Sequence, residues 1–203
     1  MSLPVRGVLV AVVLVLGSAS VASAAPPVAS PRASTLAAGT TGLPPYDTWV
    51  RDVAEVTDQA SAHLATRLPD ARVKPAIVLD IDNTALESRY TGGLRTPATK
   101  PVLALARQAH DAGAAVIFVT ARTEIIRLLT KDNLTAVGYP IDGLYMRGVF
   151  DFADNATLKT NARIRIEQAG YTIVASVGNS ATDLAGGHAE RTFKLPDYNG
   201  QLD

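Results

Sequence analysis

The chain has 203 residues, 47% apolar and 19% charged, with 19 Lys and Arg against 19 Asp and Glu. That is room for one domain with a full core, and the balanced charge gives no global attraction to nucleic acid or anionic membrane. Cysteine is absent, which excludes disulfide frameworks, thiolate metal sites and cysteine nucleophiles.

At the N-terminus, Arg6 precedes an apolar run from Gly7 to Leu16, then small residues ending Ala22-Ser23-Ala24. This pattern predicts a cleavable secretory signal over residues 1–24, hence a secreted chain with no stable membrane anchor after cleavage. The run is shorter than the ~20 residues a spanning helix needs. Residues 25–45, rich in Ala, Pro, Ser, Thr and Gly, read as a flexible leader to a folded domain over 46–203.

Tyr46 to Leu68 lacks Pro and Gly and carries Val50, Val53, Ala54, Val56, Ala60 and Leu64 at roughly helical spacing. Ala76 to Ile81 is a short apolar run of the kind a buried strand uses. The stretch from Asn83 to Ala98 is loop-like. Thr99 to Ala112 reads as a helix with Pro101 in its first turn, and Ala114 to Val119 as a second buried strand. Thr123 to Val137 has the pattern of an amphipathic helix closed by Gly138. A short strand over Leu144 to Met146, a helix over Ala156 to Ala169 and a buried strand over Tyr171 to Val177 follow. A short helix from Thr182 and a strand over Arg191 to Leu195 complete the series. Strands alternating with helices predict an α/β parallel sheet with helices on both faces.

In such a sheet the functional site lies beyond the carboxyl ends of the strands. Asp80, Asp82 and Asn83 follow the first apolar run, Thr120 and Arg122 the second, and Gly178, Asn179 and Asp183 the fourth; Lys159 opens the helix before that strand. Asp80 and Asp82 are two apart, so on extended chain their side chains leave on one side. Two carboxylates that close need a neutralising charge, which a hard cation such as Mg2+ supplies while bridging to phosphate oxygens. A carboxylate can attack phosphorus, a second carboxylic acid can protonate the leaving oxygen, and Thr120 with Lys159 can hold the equatorial oxygens. Each piece alone is commonplace, as a cap, a turn or a solvated lysine. Their order, each at a strand exit, points to phosphoryl transfer.

Asp80-Ile81-Asp82-Asn83-Thr84 resembles the D-x-D-x-T motif of the haloacid dehalogenase (HAD) superfamily, and Phe118-Val119-Thr120-Ala121-Arg122 its second motif. Lys159 resembles the third-motif lysine and Gly178 to Asp183 the acidic fourth motif. Asp183 to His188 and Arg191 to Pro196 narrow the resemblance to subfamily IIIB, which holds plant vegetative-storage-type and bacterial secreted class B-like acid phosphatases. The resemblance implies a three-layer Rossmann-like fold with an N-terminal helical extension. It implies Asp80 as nucleophile and metal ligand, and Asp82 as general acid/base with its backbone carbonyl on the metal. It further implies Asp183 as third ligand to Mg2+, Thr120 and Lys159 as phosphate binders, and a phosphomonoester as substrate. Asn179 departs from the commoner acid at its position and leaves fewer negative charges around the ion.

Between Asp82 and Thr120 the chain must also form a helix and a strand, so a large cap does not fit. Glu87, Arg89, Tyr90, Arg95, Asn83 and Arg122 are then the candidates to meet substrate, each against a plainer reading as a loop residue. His63, His110 and His188 lack metal-ligand spacing; His188 can line the site but reads more readily as a hydrogen-bonded structural residue. The alternative function is a catalytically weak binding or storage protein on the same fold. A two-metal nuclease can use the same acids, whereas neither an Arg-His-Gly run nor a G-x-x-x-x-G-K loop occurs.

Overall fold

A computed structural model describes residues 42–203 except 71, 92 and 94; the expected signal and most of the expected leader lie outside the described residues. Helix α1 spans Tyr46–Arg67, strand β1 Pro75–Leu79, α2 Lys100–Asp111 and β2 Ala115–Thr123. A short 3-10 helix, Glu124–Ile126, leads into α3 (Arg127–Ala136). Then come β3 (Gly143–Arg147), α4 (Asn155–Gln168), β4 (Thr172–Gly178), a second 3-10 turn (Ala181–Asp183) and β5 (Thr192–Lys194). All five strands pair in parallel, in the order β3-β2-β1-β4-β5. The α/β parallel sheet expected from the sequence is therefore present.

Both faces of the sheet are buried because the apolar runs have no polar alternation. Ile77, Leu79, Val116, Phe118, Ala175 and Val177 face a core shared with Trp49, Val53, Leu64, Leu105 and Leu134 from α1, α2 and α3. Their alternates Ala76, Val78, Ile117 and Val119 face a smaller core with Ala162 and Ile166 of α4. Helices thus form a layer on each side. On the α1 and α2 side the core is capped by aromatic packing, with Trp49 stacked on Tyr90 at 4.6 Å between centroids.

Three boundaries differ from the sequence reading. β1 stops at Leu79, so Asp80 and Ile81 lie past its end. β2 continues to Thr123, where it pairs with Arg147 of β3, and the helix expected from Thr123 begins only at Arg127. α4 starts at Asn155, capped by Asp154 accepting from the Thr157 amide at 2.9 Å, which puts Lys159 in the second turn rather than at the opening.

Candidate active site

β1 and β4 lie side by side at the sheet's centre, so the turns after them meet. The Asp80 amide still donates to Val177 O across this junction, at 3.0 Å. The Asp80 carboxylate is buried and accepts from Lys159 Nζ at 2.7 Å. The same ammonium donates to Asp183 Oδ1, so one buried lysine lies between two buried carboxylates. Burial, and then the charge of Asp183, push the Asp80 carboxyl well above the usual carboxylate range although Lys159 opposes them. For Lys159 burial acts to lower the affinity for its proton, but the charges of Asp80 and Asp183 outweigh it and raise it.

Local backbone chemistry fixes Asp183. Its Oδ2 accepts from the Ser180 amide at 2.8 Å in a reciprocal cap with the Ser180 side chain. Gly178 permits this approach, because a Cβ there would run into the Asp183 carboxylate. Arg163, buried on α4, donates to Asp183 O at 2.5 Å, to Gly187 O at 2.9 Å and to Ala185 O. It ties the loop after β4 to the helix that carries Lys159. Nothing in its local sequence distinguished it from a solvated helix charge.

Asp82 and Asp80 do not share one neutralising charge, as their spacing led us to expect. The turn after β1 points Asp82 at Arg122, whose Nε and Nη2 donate to its two carboxylate oxygens at 2.8 and 2.6 Å; Ser88 Oγ adds a bond of 2.6 Å. Partial burial alone would raise the Asp82 carboxyl, but the Arg122 hydrogen bonds and charge, with Ser88, hold it below the usual range. Thr120, buried near the end of β2, accepts from the Arg122 amide at 3.1 Å.

The C-terminal turn completes the wall. Leu202 is buried, and its carbonyl accepts from Asn83 Nδ2 and Asn179 Nδ2, each at 2.7 Å. Asn179 also accepts from the Thr84 hydroxyl at 2.8 Å, and its amide donates back to that hydroxyl at 3.1 Å. Asn179 thus joins the loop after β1, the loop after β4 and the C-terminal turn. An acid there would lack the donor that Leu202 O receives.

A pocket of about 150 Å³ opens at this point, lined by Asp80, Asp82, Thr120, Lys159, Asn179 and Asp183, together with Asn155, Ser180, Thr182, Leu202 and Asp203. It brings together the five residues expected to carry the chemistry. Asn83 and Arg122, expected to meet substrate, instead hold Leu202 O and Asp82. Glu87 is buried and accepts from Tyr46 OH at 2.6 Å, and Tyr90 donates to Pro44 O at 3.0 Å; both are structural. Arg95 reaches Asp132 at 3.4 Å, Arg89 is exposed, and His188 bonds Glu167 at 2.5 Å. No local pattern marked Ser88, Leu202 or Asp203, because none lies in a strand-exit motif.

Among the described residues no three His, Cys, Asp or Glu side chains gather as a self-sufficient metal group. The donors facing the pocket still fit a hard cation: the Asp80 and Asp183 carboxylates are oxygen ligands, and the two acids share the single Lys159 ammonium. The Asp82 carboxylate is spoken for by Arg122, which leaves only its backbone carbonyl for such an ion.

The family model for HAD superfamily, subfamily IIIB (acid phosphatase), matches residues 89–201. The match begins after Asp80 and Asp82 but includes Thr120, Lys159 and Asp183. A stem 28 kDa glycoprotein of Glycine max is 32% identical over 120 residues, covering 57% of this chain and 47% of that protein. Acid phosphatase 1 of Solanum lycopersicum is 29% identical over 157 residues, covering 74% of this chain and 57% of that protein. The chain therefore spans about half the length of these curated relatives. A class C acid phosphatase from Bacillus anthracis, solved with tungstate bound, shares the fold with a TM-score of 0.62 at 16% identity, over 76% of this chain and 82% of that one. With more than half of its length matched by the family model, the chain belongs to the HAD superfamily, subfamily IIIB (acid phosphatase).

Proposed function

We propose that this chain is a phosphomonoesterase, acting on small-molecule substrates through an aspartyl-phosphate on Asp80. The observation that carries this reading is the buried Asp80–Lys159–Asp183 cluster opening onto a pocket that Thr120 also lines. Lys159 holds one equatorial phosphate oxygen and Thr120 Oγ1 another, so that charge gathering on phosphorus is met by fixed donors. An Asp80 carboxylate oxygen attacks phosphorus as the bond to the ester oxygen breaks. Asp82 gives its proton to that leaving oxygen. In the second half Asp82 takes a proton from water, the water oxygen attacks phosphorus, and the bond to Asp80 breaks, restoring the carboxylate and releasing phosphate.

Asp80 and Asp183, with the Asp82 backbone carbonyl, are the residues that would hold Mg2+. When bound, the ion draws negative charge from the phosphate oxygens and favours the ionised form of Asp80. The acidic working range follows from Arg122: Asp82 must be protonated to serve the leaving group, and Arg122 holds its carboxyl low. Secretion by way of the N-terminal signal is part of the same reading and rests on the sequence alone.

A second reading, a binding protein with weak catalysis, draws on the firm Arg122 clamp on Asp82 and on the presence of Asn179 where the superfamily commonly has an acid. Hydrolysis of a chromogenic phosphomonoester separates the two. The enzyme reading expects turnover that needs Mg2+, stops with chelator and is lost in Asp80→Asn. A wild-type protein inactive on several phosphomonoesters at every pH from acid to neutral favours the binding reading.

A further inference from the structure

The carboxyl edge of the sheet carries a second feature that the site does not use. Thr123 of β2 and Arg147 of β3 are register partners, so the segments leaving them start side by side. Both turn apolar side chains to solvent. Ile125 is 75% exposed, Leu128 81% and Leu129 73% on the first; Val149 is 51%, Phe150 86% and Phe152 90% on the second. The second segment is held in this form. Arg147 Nη1 donates to Asp151 O at 2.9 Å and Ala153 O at 2.7 Å, Nη2 donates to Asn155 Oδ1 at 2.7 Å, and Asp151 accepts from the Ala153 amide at 3.0 Å. The bonds to the carbonyls of residues 151 and 153 leave the two phenyl rings facing outward.

We infer that this rim is the interface through which two copies of the chain associate. Two phenyl rings of ~150–250 Å² each with four aliphatic chains expose on the order of 900 Å². The largest patch on an ordinary monomer is ~300–600 Å², whereas one side of a standard protein interface is ~800 Å². The area is several times what the leaving group of a small phosphomonoester covers, and it matches a protein partner.

Charge selects a second copy over a bilayer. A membrane-seeking surface carries free basic residues beside its apolar face. Here Arg127 is neutralised by Glu124 through two bonds of 2.5 Å, Arg147 is held by neutral acceptors of its own loop, and Asp132, Asp151 and Asp154 in the same two segments offset the charges of Lys131 and Arg147. A rim so neutralised meets itself across a twofold axis without opposing like charges, as an isologous contact requires. The whole chain has zero formal charge and adds no long-range repulsion. β3 is one of the two edge strands, so the contact lies on the flank of the catalytic pocket, which β1, β2 and β4 line.

Sedimentation velocity across a dilution series, on the purified protein and on the Phe150→Ser, Phe152→Ser double variant, tests this directly. The inference expects twice the chain mass for the wild type. It expects the dissociation constant of the dimer raised at least ~100-fold in the variant, with an unchanged circular dichroism spectrum because both rings are exposed. A wild type that stays monomeric at every concentration overturns it, as does a dimer that persists in the double variant. The cysteine-free sequence allows a second test. A short bismaleimide should link Phe152→Cys into dimers and leave Arg72→Cys monomeric; the reverse pattern overturns the proposed face. Flotation of monomeric protein with neutral phospholipid vesicles overturns it in favour of a bilayer. None of these outcomes bears on the proposed chemistry at Asp80.

Discussion

Two cations divide three carboxylates at this site, and the division sets the expected pH behaviour. Lys159 serves the buried pair Asp80 and Asp183, while Arg122 serves Asp82 with a two-pronged contact. A general acid works only while protonated, so activity falls as pH rises through its pKa. Arg122 holds the Asp82 carboxyl low, so with Asp82 in the proposed role the working range is expected to be acidic. Replacing Arg122 with Met removes the clamp, and the alkaline limb of kcat is then expected to move up by ~1 pH unit or more. A limb that stays in place would mean that Asp82 is not the proton donor. At this scale the sequence was legible where a residue lies at or past the end of an apolar run: Asp80, Asp82 and Asp183 follow β1 and β4, and Thr120 lies near the end of β2. It was silent on Arg163 and Leu202, because their roles come from contacts with distant backbone that no local pattern encodes.

Among the elements, α2 and α3 show what sequence periodicity conveys and what it omits. Thr99 occupies the N-cap of α2 but makes no capping bond, and its buried hydroxyl has no partner among the described residues. Thr99→Val keeps the shape and removes that unpaired group, so urea unfolding is expected to show a gain of ~1 kcal/mol. A loss of similar size, as when a functioning Thr cap is removed, would show that the hydroxyl is satisfied after all. For α3 the helical spacing of apolar residues begins at Thr123. β2 instead extends through Thr123, because pairing with Arg147 continues the strand for residues that periodicity alone assigns to the helix. The same spacing implied a buried face, yet Leu128 and Leu129 are exposed. An apolar stripe states that a surface wants cover, not which molecule covers it.

The molecule as a whole is a parallel sheet whose central strands β1 and β4 bring the acids together, between two helical layers. Its alternating apolar runs made that architecture readable from the start. Folding nevertheless buries Asp80 and Asp183 with one shared ammonium, which leaves charge that a bound cation would relieve. Mg2+ is therefore expected to raise the melting temperature, by the equivalent of ~2.7 kcal/mol at a hundredfold excess over its dissociation constant. The shift should disappear in Asp183→Asn, and thermal denaturation with and without the ion reads it. An Asp183→Asn variant that keeps the full shift would remove Asp183 from the ligand set.

The central claim is that Asp80 carries the phosphoryl group, and covalent labelling addresses it most directly. Protein mixed with a 32P-labelled phosphomonoester is quenched in acid during turnover and digested, and the labelled peptide is identified. The account predicts a hydroxylamine-labile label on the peptide containing Asp80, and none in Asp80→Asn. A label on another peptide, or turnover that survives Asp80→Asn, would contradict it.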